Sequence, residues 1–236
     1  MKNYSLVLSD ELQEELFKFR NNESYDKKII EKLLHYYKAP FLTNIAQLDR
    51  IKRNTDKTLA INLRKANFKD QSLEELAKRT IYNIILCTDN DSFPYVNINT
   101  DKIENNLTGC FFCGENRTKA IQHIKALCRK ASNITIYDKH FSKDTNNVNI
   151  LTQLLPTQKL NIFYAQNHIN ESDMQKLKKF CTQWAFKQKG LTDHHDRYIE
   201  IDNKIEIILT SGFSYLGNTN KEFTYIVRNV SQRRFI

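Results

Sequence analysis

Five short segments, 134–137, 160–164, 197–201, 205–210 and 223–227, alternate β-branched or aromatic residues with other types, and they restrict the fold more than anything else in the chain. Strict alternation marks strands that bury one face. Between them lie stretches with helical spacing. Residues 117–131 and 148–155 form two, and 171–187 forms a third, which carries Met174, Leu177, Phe180, Cys181 and Trp184 on one side. Strands interleaved with helices predict a layered α/β arrangement. Asp202-Asn203-Lys204 lies between two strand segments and has hairpin chemistry.

The first hundred residues read differently. Ser9-Asp10 caps a helical pattern through Leu12, Leu16 and Phe17. A second helix covers 25–37 and stops before Pro40, a third covers 42–51, and Ser72 opens a fourth with Leu73, Leu76, Ile81 and Ile84 on one face. This part is expected to be mainly helical. The polar run at 89–106 marks a soft boundary, although Tyr95-Val96-Asn97 also has strand character. The expected organisation is a helical region at 1–105 followed by a mixed sheet flanked by helices at 106–236.

Charge separates the same two parts. The chain carries 36 Lys+Arg and 27 Asp+Glu; residues 1–105 hold 17 and 16 of them, leaving 19 and 11 for residues 106–236. Nearly all of the net +9 therefore sits in the second part, which is the expected polyanion binder. With 40% hydrophobic residues, 5 Gly and 3 Pro, the composition is that of a globular chain and excludes a disordered tail. The longest apolar runs are too short to span a bilayer, no signal-peptide core opens the chain, and five cysteines fit no disulfide framework. A cytoplasmic protein with no transmembrane segment is expected.

The chemistry concentrates at His195-Asp-Arg197-Tyr-Ile-Glu-Ile-Asp202. In a strand His195 and Arg197 project to one side, with Ile199 and Ile201 continuing that face into the core. A guanidinium neutralises and orients phosphate oxygens, and an imidazole beside it can attack phosphorus or deliver a proton. Downstream, Thr210-Ser211-Gly-Phe-Ser214 places hydroxyls at the exit of the neighbouring strand. Arg117, near the start of a helix, is a further phosphate candidate, and His140, just after the strand at 134–137, is the best second acid.

His195, Arg197 and Asp202 resemble the His-x-Lys-x4-Asp signature of the phospholipase D superfamily, and Ser211-Gly-Phe-Ser214 lies near the position of its Gly-Ser-x-Asn element. Arg stands for the Lys, and the Gly-Ser order is inverted and displaced by about two residues. His-Asp-Arg, Asp-Asn, Ile-x-Ile and Gly-Phe in succession look more like the C-terminal domain of the MIT-domain membrane-remodelling proteins, phospholipase D-like folds that are dimeric and phosphoinositide-binding rather than catalytic. The resemblance implies a phospholipase D-like domain over 106–236. It also implies a metal-independent phosphodiesterase that needs no cofactor, and the broad positive charge without a lipid-inserting helix makes nucleic acid the preferred substrate. His195 is then the nucleophile, Arg197 the phosphate clamp, Ser211 and Ser214 secondary phosphate donors, and Asp202 an orienting carboxylate. One motif per chain implies a site completed by a homodimer or by another His.

The alternative is a noncatalytic module that binds a nucleic-acid backbone, a phosphoinositide or a membrane surface. A third reading is a scaffold in which the helical part binds a partner and the motif is vestigial. Cys110-Phe-Phe-Cys113, with His123 and Cys128 downstream, matches no standard zinc spacing, so no metal is expected, and the two thiols read as core residues. Lys176, Lys178 and Lys179 read equally as a nucleic-acid track or as the wet face of a helix.

Overall fold

A computed structural model describes residues 4–36, 38–52, 57–104, 107–190 and 197–230. The chain forms two compact units, Met1–Asp101 and Lys102–Ile236.

In the first unit the described helices are α1 (Asp10–Arg20), α2 (Lys27–Tyr36), α3 (Ile45–Arg50), α4 (Lys57–Lys65) and α5 (Leu73–Ala77). Ser9 caps α1 by accepting from the Leu12 N–H, and Ser72 with Glu75 forms a reciprocal capping box on α5. The region is mainly helical, as expected, and also holds a three-stranded parallel sheet of β1 (Val7–Leu8), β2 (Ile85–Cys87) and β3 (Tyr95–Asn97), in the order β1-β2-β3. The expected fourth helix ends at Ala77, well before Ile81 and Ile84. Asn83 turns the backbone at φ 54°, and the following apolar run enters the sheet. Val7, Leu42, Leu48, Leu76 and Ile85 are core residues of this unit.

The second unit is built on a seven-stranded sheet. Its strands are β4 (Thr108–Phe111), β5 (Asn133–Tyr137), β6 (Leu160–Tyr164), β7 (Trp184–Gln188), β8 (Arg197–Ile201), β9 (Ile205–Leu209) and β10 (Phe223–Asn229), in the order β4-β10-β9-β8-β5-β6-β7. β5, β6 and β7 run parallel, while β8, β9, β10 and β4 pair antiparallel in succession. α6 (Thr118–Cys128), α7 (Asn146–Leu154) and α8 (Glu171–Phe180) supply the helices. This is the expected mixed sheet flanked by helices.

The packed face is defined by Ile134, Ile136, Ile162, Ile199, Ile201, Ile207 and Tyr225, each at most 4% exposed. On that face His123 of α6 meets the Tyr225 hydroxyl at 2.9 Å, and the Tyr164 hydroxyl of β6 donates to Met174 of α8. Gly109 pairs with Tyr225 across β4 and β10, and a Cβ there would sit 2.2 Å from the Tyr225 ring, so only glycine allows the approach.

The helix expected over 171–187 is half right. α8 stops at Phe180, Cys181 adopts an extended conformation, and Trp184–Gln188 becomes the edge strand β7 against β6. Trp184 is still buried, but from a strand, with its indole N–H bonded to the Pro156 carbonyl at 2.9 Å. Asp202 and Asn203 both have positive φ, as the two central positions of a type I′ hairpin require. Among the described residues no helix is long and apolar enough to cross a membrane.

Candidate functional site

Strand directions place four chain segments at one end of the large sheet: the exits of β5, β6 and β9, and the entry of β8. The carboxyl ends of parallel strands are where open α/β sheets bind ligands, because the loops there can present side chains without disturbing the packed layer.

Asp138 follows directly on β5 and is 1% exposed. One carboxylate oxygen accepts the His140 backbone N–H at 2.8 Å, which bends the chain into a short 3-10 helix, Phe141–Lys143. Phe141 is fully buried and packs edge-on against Phe213, fixing that bend. The same oxygen lies 3.9 Å from Nε of Arg197, the first residue of β8, and the other carboxylate oxygen has no hydrogen-bond partner among the described residues. A second guanidinium nitrogen of Arg197 is 3.5 Å from the Thr210 carbonyl at the exit of β9. These are long contacts. They aim the guanidinium while leaving it able to take a better anionic partner.

Two imidazoles surround this pair. His140 comes from the loop after β5, with Nδ1 buried and unpartnered among the described residues. His168 comes from the loop after β6, and its ring stacks edge-on to Tyr137 at 4.9 Å. Burial pushes the Asp138 carboxyl above its usual range, opposed by the His140 N–H and by the positive charges of Arg197, His140 and His168. Burial, then the neighbouring Lys143, lowers the His140 imidazole, with Asp138 opposing.

The expected site residues divide. Arg197 and His140 come together through Asp138, which, like His168, was not singled out from the sequence. His195 lies outside the described residues, two positions before Arg197. Asp202 sits at the other end of β8, about 16 Å of strand from Arg197 at ~3.3 Å per residue. Its carboxylate accepts the backbone N–H groups of Ser132 and Asn133, so it anchors the hairpin to β5.

Ser211 donates its hydroxyl to the Glu222 carbonyl. Ser214 is 3% exposed and gives its backbone N–H to Asn147 at 2.6 Å. Arg117 corrects the expectation of a phosphate ligand. It is 2% exposed, lies over the Phe223 ring, and donates to the carbonyls of Tyr215, Asn218 and Lys221, which holds the loop after β9 in shape. Burial lowers its pKa.

No group of His, Cys, Asp and Glu among the described residues has the arrangement of a metal site. Cys110 is half-buried on β4 and Cys113 is exposed, so the expectation of two core thiols fails at Cys113, beside the 63%-exposed Phe112. Cys87 and Cys181 are buried as expected. Lys176 pairs with the nearly buried Asp173 at 3.1 Å.

No family model matches the sequence, and no curated protein matches it. Among solved structures, NucT from Helicobacter pylori is similar at 14% identity over 52% of this chain and 86% of that one, with a TM-score of 0.32. Nuc from Salmonella typhimurium, a phospholipase D family member, is similar at 11% identity over 51% and 80%, with a TM-score of 0.30. TrmBL2, an archaeal chromatin protein with a novel mode of DNA binding, is similar at 10% identity and a TM-score of 0.26, over 50% of this chain and 45% of its own length. A phospholipase D family member is thus among the structures this chain resembles.

Proposed function

We propose that the protein is a metal-independent phosphodiesterase acting on nucleic acid, with His195 as nucleophile and Arg197 as phosphate clamp, at a site shared by two copies of the chain. The observation that carries this reading is the Arg197 guanidinium held at long range by buried Asp138, at the sheet end where the loops bearing His140 and His168 converge. A phosphate oxygen entering there gains a charge-assisted hydrogen bond that Asp138 makes poorly.

In the first step the His195 imidazole attacks phosphorus, the bond from phosphorus to the leaving oxygen breaks, and that oxygen takes a proton from a second imidazole. In the second step water gives a proton back to that imidazole, attacks phosphorus and breaks the phosphorus–nitrogen bond. The net change is a diester and water converted to an alcohol and a monoester. We assign that acid to the same motif of a second copy, arriving from the far side of the phosphorus, with His140 the alternative within the chain.

Labelled single- and double-stranded DNA and RNA incubated with the protein in excess EDTA test the reading. Turnover that survives EDTA and falls at least about a thousandfold in His195→Ala is expected, a loss typical of removing a nucleophile or general acid-base group. Turnover unchanged in His195→Ala contradicts the assignment, and binding without turnover in either protein supports the noncatalytic module instead.

A further inference from the structure

The sheet has a second face, and its side chains form a row unrelated to the Arg197 cluster. Glu200, Thr135, Phe163 and Lys187 stand opposite one another on adjacent strands β8, β5, β6 and β7. Glu200, Thr135 and Phe163 are half-buried, while Lys187 and Lys189 are exposed. Both lysine ammonium groups lie over the one Phe163 ring, at 5.7 and 5.9 Å. Beside the ring is a cavity of ≈ 210 Å³ to which Asn133, Thr135, Glu200 and Asn203 contribute polar groups.

We propose that this face holds an unpaired base of a single-stranded nucleic acid, stacked on Phe163, with Lys187 and Lys189 on the flanking phosphates. The cavity is below the roughly 300–1,000 Å³ of sites that enclose a whole small ligand, so it fits one ring system of a longer molecule. A site for phosphate alone would not include a carboxylate. Glu200 there is an acceptor suited to the exocyclic amino group of a base, and the Asp202 carboxylate is already occupied by Ser132 and Asn133. Aromatic stacking beside two cations binds single strands, whose bases are free to unstack, and discriminates against a duplex. This site lies on the opposite face from the proposed chemistry and stands apart from the nuclease reading.

The test is fluorescence anisotropy of a labelled 12-nucleotide single strand, the matching duplex and a mononucleotide. The full chain carrying His195→Ala is used, so that cleavage does not alter the probe. Phe163→Ala should raise the single-strand Kd about tenfold, the scale of one lost base stack, with Phe163→Trp restoring it and duplex affinity changing less than about twofold. Lys187→Glu with Lys189→Glu, both at exposed positions, should weaken single-strand binding similarly, which keeps the test valid if Phe163→Ala is unstable. Single-strand affinity unchanged in the lysine variant, equal losses for strand and duplex, or a mononucleotide bound as tightly as the strand each overturn the proposal. Failure of the nuclease reading shows separately, as absent turnover in the wild-type protein.

Discussion

Asp138 is the residue on which the candidate site turns. It is buried, its carboxyl is pushed upward by that burial, and the Arg197 guanidinium is 3.9 Å away. A carboxyl whose pKa is raised on folding binds its proton more tightly in the folded state. Its ionised form therefore costs stability at neutral pH, and that cost disappears as pH falls through the folded pKa toward the unfolded value. Asp138→Asn should accordingly raise Tm at pH 7, with the gain vanishing at acid pH. Thermal melts across pH check this, and a Tm that drops at pH 7 would show that the carboxylate is stabilised where it lies. Arg197 was legible in the sequence because its spacing to His195 and to the strand pattern is local. Asp138 and His168 were not, because only the β5–β6–β8 register brings Asp138 to Arg197 and the His168 loop to Asp138.

At the scale of elements, the loop between β9 and β10 owes its shape to α6. Arg117, at the start of that helix, reaches across about a hundred residues of sequence to three carbonyls of the loop. A hydrogen bond to a charged group contributes about 1.5–3 kcal/mol, and removing the guanidinium takes this partner from all three carbonyls. Arg117→Ala should therefore lower unfolding stability by about 3 kcal/mol or more in denaturant titration. A phosphate ligand in the same place would instead cost activity and little stability. Sequence alone made Arg117 a phosphate candidate because a helix start attracts anions, and nothing local announced the three carbonyls. The same limit explains Trp184. Its spacing continues the apolar stripe of α8, yet pairing with β6 buries it better as part of an edge strand. Strands with clean alternation, β5, β6, β8, β9 and β10, were legible. The two-residue β1 and the continuous apolar β2 carry no period to read.

Taken whole, the chain joins a nearly neutral unit with a small parallel sheet to a basic unit whose large sheet has a packed face, a second, half-buried face and one end that carries the candidate site. The charge asymmetry and the break near residue 100 were visible in composition, whereas the parallel sheet within the helical part was not. The central claim is that the single motif of this basic unit acts through a covalent histidine. The most direct measurement is to quench the reaction with a labelled oligonucleotide into alkali, where a phosphorus–nitrogen bond to histidine survives, and to map the label by peptide mass spectrometry. The account predicts an adduct on His195 and none on His140, absent from His195→Ala. Robust turnover with no histidine adduct at any time point would contradict it.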